Sequence, residues 1–127
     1  MSDSALKTYS STLKTPERNF KERRFAIHSR LHTLSGYEVQ KCVEALNDDL
    51  SVLREDVEEC KRAIMEVRRK EDPEAARRKF GVTWSLSTFP SDVIDRFRDV
   101  IEDRKQIARW IRRERAIYLW ELRLRKV

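Results

Sequence analysis

The sequence predicts an all-α fold: an antiparallel helical hairpin of coiled-coil type, with a shorter N-terminal helix folded along it in the manner of a three-helix bundle. Three observations carry this reading. Val39, Val43, Leu46, Leu50, Leu53, Val57, Cys60, Ile64 and Val67 recur at alternating steps of three and four residues, which is the seam of an amphipathic helix. Only two glycines and three prolines occur in 127 residues, so there are few places for the sharp turns that sheets require. Charged and apolar residues each make up 39% of the chain, a composition suited to long, thin helices rather than a thick core.

Residues 1–14 are rich in Ser and Thr without a helical period, and read as a flexible, disordered tail that a partner could order. Residues 15–127 then read as one helical domain. Helix 1, about 16–34, opens at "TPER": Thr15 is placed to cap, Pro16 has its φ already fixed for a first turn, and Glu17 faces the helix dipole. Phe20, Ile27, Leu31 and Leu34 share one of its faces. In the following "SGYE", Gly36 is placed to end that helix, while Ser35 and Glu38 have the spacing of a capping box.

Helix 2, about 37–71, carries the seam. Pro73 ends or kinks it, although "PEAARRK" has helix-forming residues for another turn or two. An apolar connector at 80–90, "FGVTWSLSTFP", alternates like a strand but has no partner strand, so it is expected to cover the ends of the helices. Helix 3, about 92–125, is capped by Ser91 with Asp92 and Asp95 in its first turn. Its apolar face, from Val93 and Phe97 through Ile107, Trp110 and Ile111 to Tyr118 and Leu122, is wider than a coiled-coil seam and suits more than one neighbour.

Charge decides the partner of helix 2. Residues 36–60 hold eight acidic and two basic side chains and residues 61–80 four and eight; residues 81–103 hold five and two, and residues 104–127 two and nine. Both helices therefore run from negative to positive. An antiparallel pair brings unlike halves together, whereas two copies of helix 2 in parallel repel. Each exposed pair contributes only about 0–1 kcal/mol, so the charges select orientation. Cohesion comes from the apolar stripe, at roughly 1.5–3 kcal/mol per buried Leu, Ile or Val before entropy is subtracted.

No resident chemistry is expected. Cys42 and Cys60 are about 27 Å apart along one helix, too far for a disulfide, and read as free thiols of a reducing compartment. His28 and His32 have a spacing that zinc accepts but lack a third ligand nearby. With two glycines there is no phosphate-binding loop. The expectation is a protein that is not an enzyme, with no cofactor, no metal and no small-molecule substrate. The start resembles no signal peptide and no run of about 18 apolar residues occurs, so the chain is expected to be intracellular, cytoplasmic or nuclear, and not to use a membrane.

The net charge of +6 favours acidic partners. Arg68, Arg69 and Lys70, then Arg77, Arg78 and Lys79, flank the end of helix 2, while Lys105, Arg109, Arg112 and Arg123 lie on the side of helix 3 away from its apolar face. Trp84, Trp120 and Leu124 are the candidate apolar contacts. The leading functional expectation is a helical assembly or adaptor subunit that binds a protein partner or itself. The alternative is a basic helical protein that binds the backbone and shape of RNA or DNA. It would not be a basic zipper, because Gly36 and acidic residues interrupt the required junction.

Overall fold

The computed structural model describes residues 4–11, 15–69, 74–82 and 89–126, and among these every regular element is helical. The order is α1 (Ala5–Ser11), α2 (Pro16–Arg30), a 3₁₀ turn (Leu31–Thr33), α3 (Gly36–Arg68), α4 (Glu74–Phe80) and α5 (Pro90–Arg125). The apolar seam and the scarcity of turn residues thus produce the all-α fold that they predict.

The helix ends follow local chemistry, with three departures from expectation. Ser35 and Glu38 form the reciprocal capping box: the Glu38 amide donates to Ser35 Oγ and the Ser35 amide to Glu38 Oε1, both at 3.1 Å. Gly36 does not end the preceding helix; it is the first residue of α3, and α2 instead tightens into the 3₁₀ turn. Thr15 precedes α2 without a side-chain cap hydrogen bond, so the proline that follows it sets that start. At α5 the helix begins at Pro90, not after Ser91, and the Asp92 amide bonds to the Phe89 carbonyl at 3.0 Å. Gly81 has φ +68°, and the Val82 amide reaches back to the Arg77 carbonyl at 3.1 Å. That is the six-to-one bond of a glycine-terminated helix, here ending α4.

The chain forms two compact units, one comprising Met1–Val52 with Gln106–Val127 and the other Leu53–Lys105. In the second unit Cys60, Ala63, Ile64 and Val67 of α3 pack with Ala76, Val82 and with Val93, Phe97 and Ile101 of α5; Val57, Phe80, Ile94 and Val100 close the margin. Asp56 of α3 lies 3.4 Å from Arg104 of α5. Rising numbers on α3 thus meet falling numbers on α5, which makes the pair antiparallel.

The first unit shows the same direction: Arg115 donates to Asn47 Oδ1 at 2.8 Å, and Tyr118 packs beside Cys42. Its core joins Val39, Val43 and Leu46 with Phe20, Ile27, Leu31, Ile107, Ile111 and Tyr118. The Phe20 and Trp110 rings meet at a centroid distance of 5.1 Å. Arg125 caps the end of the N-terminal helical segment, donating to the carbonyls of Leu34 at 2.8 Å and Leu31 at 3.0 Å, as a cation near a helix C-terminus should.

Part of the expected tail is helical. Ala5 and Tyr9 of α1 are buried, while residues 1–3 and 12–14 lie outside the described residues. Helical periodicity cannot announce a seven-residue helix whose buried side chains are one alanine and one tyrosine. The expected apolar connector also lies mostly outside the described residues, including Trp84.

Candidate partner interface

Within the first unit, α5 turns one side inward and the other to solvent. Ile107, Ile111, Glu114 and Tyr118 are buried, whereas Arg109, Arg112, Arg113, Ala116, Leu119, Trp120, Arg123 and Leu124 are exposed. At about 100° per residue the exposed set occupies one continuous stripe roughly 140° wide. Leu119 is 44% exposed, Trp120 61% and Leu124 53%, an accumulation of large apolar side chains at the surface of a single helix end. Between residues 106 and 126 α5 has two carboxylates: Glu114 is buried, and Glu121 is half-buried and paired with Arg125 at 2.8 Å.

The arginines of this stripe are unspent. Among the described residues none of Arg109, Arg112, Arg113 and Arg123 has an ion-pair partner. Two of them rest on rings instead: Arg113 lies 4.6 Å from the Trp110 centroid and Arg123 lies 6.0 Å from that of Trp120. Such stacking orients a guanidinium and leaves its donors available.

The other basic positions have different surroundings. Arg68, Arg69 and Lys105 are exposed in the second unit and Lys70 lies outside the described residues. Arg77 is half-buried and Arg78 exposed, and both have partners of their own. Lys79 is engaged within the chain, 3.0 Å from both Asp56 and Glu59, so its charge belongs to the fold. His28 and His32 are exposed, with His32 in the 3₁₀ turn and therefore off the helix that carries His28. Arg113 and Leu119 complete the α5 stripe that the sequence assigned only in part; the signal for both was their place on the same helical face.

Behind that stripe lies a second feature, a buried carboxylate. Glu114 is 1% exposed; its Oε1 accepts from Arg23 Nη2 at 2.6 Å, and its Oε2 accepts from Arg23 Nε at 2.9 Å and from the Tyr9 hydroxyl at 2.8 Å. Arg23 Nη1 also donates to Thr8 Oγ1 at 3.2 Å. The fork matches both carboxylate oxygens, which offsets the desolvation of the two charges. Burial, then the charge and hydrogen bond of Glu114, push the Tyr9 phenol pKa far up, so it remains a donor. Asp49 of α3 accepts the Leu6 amide, and burial holds its carboxyl above the usual range.

These groups border an open cleft of about 690 Å³ whose lining includes Arg23, Arg30, Lys41, Cys42, Asp49 and Glu114. Its charges are of both signs, and its Arg23–Glu114 pair is committed to fastening α1. No family, no curated protein and no solved structure matches the chain.

Proposed function

We propose that this chain is a non-enzymatic helical adaptor or assembly subunit that engages an acidic protein partner through the outward face of α5 in its first unit. One observation carries the reading: four arginines without an ion-pair partner among the described residues share a continuous face with Leu119, Trp120 and Leu124, and no exposed carboxylate interrupts it. Interface cores are enriched in Trp, Arg and apolar side chains, and a desolvated arginine contributes most when it meets a carboxylate. The same arginines speed encounter with an acidic surface, while the apolar trio supplies the burial that slows dissociation.

A second reading, binding of RNA or DNA by backbone and shape, is favoured by the exposure of Arg68, Arg69 and Lys105 in the other unit. Phosphates, however, gain nothing from covering Leu119 and Leu124. Purification from cells with and without nuclease, using the wild type and the Arg109→Glu/Arg112→Glu double variant, separates the two readings. A protein that co-purifies after nuclease treatment with the wild type and not with the variant supports the adaptor. Loss of every companion on nuclease treatment overturns it in favour of the nucleic-acid reading.

A further inference from the structure

The α5 stripe has relief as well as charge. Ala116 sits at its centre, and its helical neighbours three and four residues away are Arg112, Arg113, Leu119 and Trp120. All five are exposed. A methyl group ringed by four long side chains is a notch, with one wall cationic and the opposite wall apolar. Along the axis, from Arg109 to Leu124, the stripe spans roughly 22 Å at 1.5 Å per residue, about four helical turns.

Resting on the adaptor reading, we propose that this face docks one acidic amphipathic helix of a partner protein, with an apolar side chain of that helix seated over Ala116. A small residue among longer ones lets a facing helix approach closely at that point, with its side chain seated between the flanking ridges. A partner with carboxylates beside its apolar stripe places them on Arg112 and Arg113 while its apolar residues meet Leu119, Trp120 and Leu124. Charge complementarity fixes the sign of the occupant and the notch fixes its shape. Duplex nucleic acid supplies the sign without a knob. A fluid anionic membrane supplies sign and apolar depth, yet it has no fixed shape to register with the alanine.

A substitution at the notch tells these occupants apart. Ala116→Arg adds a charge to a polyanion-binding surface and blocks a fitted helix; Ala116→Ser keeps the notch open. The probe is a labelled peptide of about three heptads with Leu at the first and fourth positions and Glu at the flanks, read by fluorescence anisotropy against the 127-residue chain. A scrambled peptide of the same composition, a random-sequence DNA duplex and vesicles with anionic headgroups serve as comparison ligands.

The expected result is that the amphipathic peptide binds at least about tenfold more tightly than its scramble. Ala116→Arg should weaken that binding by about tenfold or more, Ala116→Ser should retain it, and duplex binding should be unchanged or stronger in Ala116→Arg. Equal binding of the scrambled peptide overturns the proposal. So does tighter peptide binding by Ala116→Arg, or a preference for the duplex or the vesicles over the amphipathic peptide at physiological salt. If the peptide fails while a nuclease-resistant protein companion is still lost in Arg109→Glu/Arg112→Glu, the helix assignment falls and the adaptor reading stands.

Discussion

Among the described residues each unit buries one carboxylate, and each uses it to fasten a short helix. In the unit Leu53–Lys105, Asp56 of α3 is 7% exposed and meets Lys79 of α4 at 3.0 Å and Arg104 at 3.4 Å. In the other, Glu114 of α5 is 1% exposed and meets Tyr9 of α1 and both arms of Arg23. The surroundings differ. The Lys79 side chain is half in water, and α4 is also fixed by Ala76 and Phe80 against a wholly apolar cluster. The partners of Glu114 are a fully buried phenol and a mostly buried guanidinium, and α1 contributes only Ala5 and Tyr9 to the described core. Apolar packing therefore has a large share in the seat of α4, whereas the polar network is central to the seat of α1.

Breaking the apolar side should have the largest effect. Phe97 is fully buried, and Phe97→Ala should cost about 4 kcal/mol in urea unfolding through lost transfer energy and a residual cavity. Glu114→Ala should cost somewhat less, about 3 kcal/mol, because Arg23 retains some access to water once its partner is gone. Its distinguishing sign is faster amide exchange along α1, which Phe97→Ala should leave slow. Tyr9→Phe removes one hydrogen bond to a charged acceptor that Arg23 still satisfies, a loss of about 1.5 kcal/mol with the same signature in α1. Lys79→Ala, its counterpart in the other unit, should shift stability by no more than about 0.5 kcal/mol, because half of that side chain is already solvated.

Alkaline titration contrasts the same two regions without large mutations. Burial, followed by the charge of Asp56, pushes the Cys60 thiol pKa from its ordinary 9.0 up to about 11. Burial and the neighbouring Cys42 push the Tyr118 phenol from 10.0 up to about 12. In both cases the native state keeps a proton that the unfolded chain releases, so stability is intact below the unfolded value and falls as pH rises towards the native one. Melting temperatures should decline from about pH 9 in the wild type. In Cys60→Ala the first part of that decline should be absent, and in Tyr118→Phe the part above about pH 10 should be shallower.

Much of this architecture was legible because it repeats. Of the nine seam positions between Val39 and Val67, only Leu50 and Val57 remain half-buried rather than buried, and the charge blocks on α3 and α5 give the antiparallel direction found in each unit. The capping box at Ser35 was equally plain, being a local rule with a fixed spacing. The Tyr9–Arg23–Glu114 network was not legible. Tyr9 and Glu114 are 105 residues apart, and a glutamate on a strongly charged helix gives no sign that its position, one turn from Ile111 and Tyr118, faces inward. The candidate interface was half legible: Arg109, Arg112, Arg123, Trp120 and Leu124 stood out by type, whereas Arg113 and the notch at Ala116 needed the knowledge of which side of α5 is covered.

If the proposed adaptor function holds, the contrast between the units extends to function, since the cationic and apolar stripe of α5, unpaired among the described residues, belongs to the first unit. A photo-crosslinking amino acid placed at Leu119, and in a separate protein at the exposed Arg98 of the second unit, tests this in cells. A discrete, nuclease-resistant protein adduct is expected from position 119 and none from position 98. Adducts from position 119 that nuclease digests away, or the absence of any adduct there, would overturn the adaptor function.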